Sequence, residues 1–286
     1  MLAMVVLAPP IALAQTGPSR PEIEQRLASV PEDRRTYARF WHWVAALPVG
    51  ERGTAENAPF QQEALLKKYR TWLVETGSSA SEADQEIAAL QHRGGAEVAE
   101  FWNRYLVTAR PPWLTSEPNG FLAQMVKGRK TGKALDVGMG QGRNAIWLAL
   151  QGWDVTGFDP ADQAVAAAQE EAKRRGVTIH TEVTTMEQFD FGDGQWDLIA
   201  VIYAGCSSIA PQLQKALKPG GILIEEAFHT DALKTLKVGG SLCKPGELPS
   251  AFQDLRVIRY EEPIATPDFA PRPTRIVRFA AEKPID

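Results

Sequence analysis

Cysteine is scarce in this chain: Cys206 and Cys243 are the only two in 286 residues. Neither stands in a C-x-x-C or similar spacing, so no metal is expected from the sequence. The two would form a disulfide in an exported chain and would be thiols in the cytosol, and two small core residues suit the pattern equally. An excess of basic charge is also missing. With 31 Lys and Arg against 35 Asp and Glu, the net charge is -4, which excludes a nucleic-acid-binding face of the basic kind and favours a small-molecule partner. No apolar run reaches the ~20 residues that a bilayer core requires, so no membrane span is expected. Internal repeats and low-complexity tracts are absent.

What is present begins with MLAMVVLAPPIALA, residues 1–14, a run without charge that ends in Ala12-Leu13-Ala14 ahead of Gln15. Small-x-small is the pattern a signal peptidase cuts, although the basic residues that usually precede the apolar run are lacking. Residues 1–14 are therefore expected to be a signal peptide. The protein would then be exported or periplasmic; without a functional signal it would be cytoplasmic. The 44% hydrophobic content is enough for a sizeable core, and the length fits one large domain or a domain with an appendage.

Helical spacing marks segments 20–47, 59–76 and 81–107, with Phe40, Trp41 and Val44, then Leu65, Leu66, Tyr69, Trp72 and Leu73 as apolar stripes. Such stripes are core before they are binding surfaces. Gly77-Ser78-Ser79 breaks the second segment, and Ser81 followed by Asp84 predicts the cap of the third. Residues 15–110 are expected to be an all-helical N-terminal region, and 111–286 a separate domain.

From residue 133 short β-rich runs, KALDV, DVTGF, TIHTEV, WDLIAVIY and GILIEEAF, alternate with helical stretches at 160–175 and 207–217. This is a βαβ series. Continuous apolar strands suit a parallel sheet covered on both faces, and the last strands, near 254–260 and 274–281, predict an antiparallel pair at its edge. The expected fold class is α/β: a Rossmann-like, doubly wound, mostly parallel seven-stranded sheet with the helical appendage in front.

The densest motif is ALDVGMGQGRN, residues 134–144, a glycine turn between a strand and a helix that starts near 141. Such turns bind ligands, because glycine lets a ligand approach the backbone and the helix start offers unpaired N–H groups. The dinucleotide fingerprint G-x-G-x-x-G is not met: the glycines are Gly138, Gly140 and Gly142, and Arg143 takes the next place. Asp136, two residues ahead of them, would repel a pyrophosphate and welcome a cation. Asp159 ends the second strand twenty-three residues later, the offset at which a carboxylate accepts bonds from ribose hydroxyls.

Together with Leu217-Lys218-Pro219-Gly220-Gly221 before a strand, these features resemble the class I methyltransferases that use S-adenosylmethionine. Within that class, GQGRNAIWLALQGWDVTGFD is similar to the tellurite-resistance group, as are Phe101-Trp102-Asn103-Arg104-Tyr105 and Ser116-Glu117-Pro118-Asn119-Gly120-Phe121-Leu122 upstream. The resemblance covers about 100 to 282. It implies S-adenosylmethionine as cofactor, with Asp136, Gly138 and Gly140 along its methionine end, Met139 and Gly142 also in the cofactor-binding loop, Asp159 on the ribose and the turn at Met186 and Glu187 beside the adenine. Tyr203 approaches the sulfonium, and Arg143 borders the cleft. Two departures stand out: Met139 replaces a frequent cysteine, and an aspartate common before the position of Glu187 is missing.

Displacement at a sulfonium needs a placed nucleophile more than a protein base. An acceptor that is anionic or soft arrives ready to react, whereas a hydroxyl or amine requires a base within reach. His229 is the first candidate for that base, its alternative being to cap the strand end beside Thr230 and Asp231. His180 is structural, Glu226 is another carboxylate candidate, and Cys206 is a soft thiol that would meet a chalcogen acceptor. Methyl transfer to a small soft or anionic nucleophile, a metalloid oxyanion or a thiol, is expected. The alternative is a noncatalytic nucleoside-binding module whose helical appendage docks a protein partner.

Overall fold

A computed structural model describes residues 19–28, 30, 32, 35–47, 63–108, 110–111, 114–186, 188–234 and 242–285. The segment 1–14 and Glu187 lie outside them. The chain forms two compact units that part between Gln91 and His92.

The first unit is built from helices α1 (Arg20–Leu27), α2 (Arg35–Ala46), α3 (Glu63–Glu75) and the first half of α4 (Ala80–Asn103). The segment expected as one helix over 20–47 is two, and Pro31, which lacks an N–H, falls in the interval. Phe40, Val44, Leu65, Leu66, Tyr69, Trp72 and Leu73 do form core, while the Trp41 side chain lies outside the description: Phe40 and Tyr69 meet edge to face at 5.0 Å, and Tyr69 stacks on Trp72 at 5.5 Å. Tyr69 is fully enclosed, and its hydroxyl donates to Glu86 Oε1 (2.6 Å), a carboxylate that Arg39 also binds at 2.9 Å. The cap of α4 differs from the one expected. Ser79 Oγ accepts from the Glu82 N–H (3.2 Å) while the Glu82 carboxylate accepts from the Ser79 N–H (2.8 Å), a reciprocal capping box. Asp84 instead pairs with Arg70.

The second unit continues through a π-helical turn at Arg104–Thr108 into α5 (Gly120–Val126), β1 (Lys133–Val137), α6 (Arg143–Leu150), β2 (Asp154–Asp159), α7 (Asp162–Arg174), β3 (His180–Val183) and β4 (Trp196–Ile202). There follow α8 (Ala210–Ala216), β5 (Leu217–His229), β6 (Leu242–Cys243), α9 (Glu247–Ala251), β7 (Arg256–Glu261), β8 (Ile264–Ala265) and β9 (Thr274–Glu282). The main sheet runs β3-β2-β1-β4-β5-β9-β7, with β6 added to β5 and β8 to β9. The first five strands are parallel, and β9 is antiparallel to both β5 and β7. This is the expected doubly wound, seven-stranded order with two short additions.

Alternation along the strands covers both faces. Ile199 and Val201 of β4 join one apolar cluster, while Leu198, Ala200 and Ile202 join the other. The Lys218–Gly221 stretch enters β5 as an irregularity: Trp196 pairs with Leu217, but Leu198 pairs with Ile222. The chain leaves β1 toward β2 on one side and returns to β4 on the other. That reversal opens a crevice at the carboxyl ends of β1 and β4, the place where such sheets bind ligands.

Candidate active site

Three loops meet at this crevice. The first is the glycine loop after β1, where Gly138, Gly140 and Gly142 have φ of 65°, 52° and 74°. At Gly138 the requirement is double, because a Cβ there would also lie 2.5 Å from the Ala204 Cβ in the loop after β4. Met139 is buried and lays its sulfur over Gly157 of β2, where a Cβ would come within 2.4 Å. A cysteine is not needed at 139 for the loop to close.

Two buried carboxylates pin this loop. Asp136 Oδ2 accepts from the Ala145 N–H (3.0 Å) in the first turn of α6, satisfying a donor the helix cannot. Asp159 accepts from the Gly140 N–H (2.9 Å) with one oxygen and from the Ala161 N–H (2.8 Å) with the other. Burial pushes Asp136 up to about 7, against the pull of the Arg143 guanidinium and the Ala145 N–H. Burial likewise raises Asp159 to about 6, against its two backbone donors. Each carboxylate keeps unused lone pairs. The pair therefore fits a ligand carrying a cationic amine at one end and vicinal hydroxyls at the other, which is the donor pattern of S-adenosylmethionine.

The second loop, after β4, carries Tyr203, whose φ of 58° is the only positive value at a non-glycine among the described residues. Backbone strain of this kind concentrates at functional sites. The Tyr203 N–H donates to the Glu226 carbonyl (2.7 Å) and its hydroxyl to Glu226 Oε1 (2.9 Å), while its ring meets Phe228 at 4.9 Å and Phe269 at 5.4 Å. Burial, then Glu226 and Asp268, hold its hydroxyl protonated well above the ordinary range. Met186 is half-buried near Gly205 of the same loop, whereas its neighbour Glu187 lies outside the described residues.

The third is the segment before α5. Asn119 caps that helix through Oδ1 (2.9 Å to the Leu122 N–H) and reaches with Nδ2 to Glu226 Oε1 (2.6 Å) and Asp268 Oδ2 (2.8 Å). Its own N–H donates to Asn144 Oδ1 (2.9 Å). Arg143 binds Asp268 (2.7 Å) and the Glu117 carbonyl (2.8 Å), and Arg278 closes the network on Glu226 Oε2 (2.6 Å). Arg143 thus joins the 117–119 segment to the crevice wall.

Sequence reasoning missed Asp268 and Arg278, and it weighed Glu226 only as a spare carboxylate. A signal was available. Two carboxylates inside the apolar run GILIEEAF must each find a partner, one on either face of the sheet.

Two expectations are corrected. Cys206 is bonded to Cys243, so no thiol stands ready for a chalcogen acceptor. His229, at the end of β5, is 2% exposed, its Nδ1 accepts from the Asp231 N–H (3.0 Å), and its Nε2 faces the Glu262 carboxylate at 3.7 Å. The ring caps the strand end instead of presenting a nitrogen to the crevice. His180, in β3, is exposed beside Asp154.

Comparison with known proteins bears on this geometry. Residues 134–221 match the family of methyltransferase domains. The chain is 29% identical over 164 residues to hemagglutinin 1 of Eikenella corrodens, covering 53% of this chain and 55% of that one. It is 28% identical over 137 residues to the probable S-adenosyl-L-methionine-dependent methyltransferase TehB of Haemophilus influenzae, covering 46% and 48%. The chain thus spans about half the length of these curated relatives. The crystal structure of Haemophilus influenzae TehB superposes with a TM-score of 0.52 at 21% identity, over 66% of this chain and 67% of that one, a likeness of fold. Residues 134–221 thus match a methyltransferase domain, and the chain resembles TehB in sequence over about half its length and in fold over about two thirds.

Proposed function

We propose that the protein transfers a methyl group from S-adenosylmethionine to a small soft or anionic nucleophile, a metalloid oxyanion or a thiol. The observation that carries the choice of acceptor is the state of the polar groups around the crevice. Tyr203, Asn119, Arg143 and Glu226 are all engaged with one another or with Asp268 and Arg278, and His229 is enclosed. None is placed as a ready base, which supports an acceptor that arrives already nucleophilic.

When bound, the cofactor supplies an electrophilic methyl on a sulfonium. The chain's own residues do the positioning. Asp136 would meet the cationic amine, Asp159 would take the ribose hydroxyls, Gly138, Met139, Gly140 and Gly142 would offer their backbone, and Met186 would stand toward the adenine. Tyr203, fixed by two bonds to Glu226, would form the wall beside the sulfonium, and its aromatic face suits a positive charge. The Arg143 guanidinium, 12% exposed and paired with Asp268, would exchange that partner to meet an anionic acceptor.

The test is an acceptor screen by mass spectrometry with selenite, tellurite, small thiols, a catechol and a primary amine. Methylated chalcogen or thiol products support the proposal. Products from the catechol or amine alone overturn the choice of acceptor, and tight cofactor binding without any product favours a noncatalytic nucleoside-binding module.

A further inference from the structure

The face of β5 opposite Glu226 holds a second polar cluster. Glu225 is 0% exposed, and neither of its carboxylate oxygens has a hydrogen-bond partner. A carboxylate in that position is costly unless it is neutralised, paired or bound to a cation. The charged group that bears on it, Glu247, has the same sign and is held by the Ser207 hydroxyl (2.5 Å) and the Lys244 N–H (2.8 Å). Burial first, and Glu247 second, hold the Glu225 carboxyl well above the ordinary carboxylate range.

Sulfur stands beside it. Ligand atoms of Cys206, Cys243 and Glu225 lie within 4.8 Å of one another, all three residues being buried, and the two cysteines are joined as a disulfide. Two thiolates and a carboxylate form the donor set of a thiophilic divalent cation. The cysteines are 37 residues apart, and it is β5 that brings Glu225 to them.

We propose that, in the reduced chain, Cys206, Cys243 and Glu225 bind a thiophilic divalent cation such as Zn²⁺. Disulfide and metal site are alternative states of the same two sulfurs. A phosphine reductant breaks the S–S bond: the sulfurs gain two electrons and two protons and become thiols, while the phosphine is oxidised to its oxide with oxygen from water. The cation then displaces the thiol protons and the Glu225 proton to solvent and takes the three ligands, with a further position left for water. The compartment selects the state, disulfide where oxidants prevail and metal where thiols are kept reduced. In both states the loop that carries Tyr203 is tied to β6, because Cys206 follows Tyr203 by three residues and Cys243 belongs to β6.

Co²⁺ is the probe. The full chain, oxidised or reduced anaerobically with a phosphine, is titrated with Co²⁺ alone and followed by near-ultraviolet absorption. The expected result is a thiolate-to-cobalt charge-transfer band that saturates at one equivalent in the reduced chain, is absent from the oxidised chain and is bleached by Zn²⁺. Losing even an outer partner of a metal ligand costs about 10- to 100-fold in affinity, so losing a direct ligand in Glu225→Gln, which keeps both thiols, is expected to weaken Co²⁺ by about tenfold or more. A reduced wild-type chain without the band overturns the proposal, and so does a Glu225→Gln chain that binds Co²⁺ as tightly as wild type. The wild-type comparison requires no substitution, so the folding of a variant does not decide the outcome.

Discussion

Glu225 and Glu226 are consecutive in β5, both are buried, and they face opposite sides of the sheet. Glu226 collects Tyr203, Asn119 and Arg278 on the crevice side, whereas Glu225 looks toward Cys206 and Cys243. Strand alternation converts one dipeptide into two separate sites.

Glu226 is expected to be structural as well as functional. Glu226→Ala takes the acceptor from the Tyr203 hydroxyl and from Arg278 Nε and leaves Asn119 Nδ2 with Asp268 alone. Because Arg278 keeps 28% exposure, the loss is expected at the lower end for a broken buried pair, about 3 kcal/mol. Denaturant unfolding of the two proteins measures it, and a change within about 0.5 kcal/mol, as for an ordinary surface substitution, removes the network from the account.

Gly138 is expected to resist replacement for two separable reasons. Gly138→Ala meets both the positive φ and the Ala204 Cβ at 2.5 Å, and a loss of about 1–3 kcal/mol is expected. Adding Ala204→Gly relieves the contact and leaves the backbone cost. Partial recovery in the double variant is the expected outcome; no recovery would show that the two loops do not touch.

Asp159→Ala is expected to weaken S-adenosylmethionine by about 1–3 kcal/mol through lost charge-assisted bonds to the ribose. Equilibrium dialysis with labelled cofactor reads this directly. An unchanged dissociation constant removes the ribose role and leaves Asp159 as the anchor of the Gly140 and Ala161 N–H groups.

Cofactor affinity is expected to rise with pH. Asp136 near 7 and Asp159 near 6 are raised above their unfolded values, so in the ligand-free protein they hold protons that a cationic, hydroxyl-bearing ligand must displace. The affinity gain is up to about tenfold per pH unit below pH 6–7 for each coupled proton, with a plateau above. The sign for stability is the opposite: the favourable contribution of these two groups is complete below pH 4 and is lost as pH rises through 6 and 7. Titrations from pH 5 to 8 check the slope, and Asp136→Asn is expected to flatten it. A pH-independent affinity in the wild type contradicts the assignment of both carboxylates.

Much of this was legible because it is local. Strand β1, the glycine turn, the start of α6 and Asp159 at the end of β2 lie within about thirty residues, and chain geometry alone sets their relation. The antiparallel pair of β7 and β9 followed from the shortness of its connection. What escaped was decided by residues far apart in sequence. Asn119 meets Glu226 across 107 positions and Asp268 across 149, and no periodicity encodes either contact. The cap of α4 was placed on Ser81 and Asp84 when Ser79 and Glu82 form it. Both pairs have the required spacing, and the demand of Arg70 for a partner claims Asp84. His229 stood at a strand end, where a base is useful, but the Asp231 N–H and Glu262 close around it.

The central claim is that the loop between Asp136 and Asp159 holds S-adenosylmethionine. Isothermal titration of the full chain at pH 8, with S-adenosylmethionine and separately with its demethylated product, tests it most directly. Saturable heat at one equivalent with both ligands is the predicted result, and no heat with either would contradict the account.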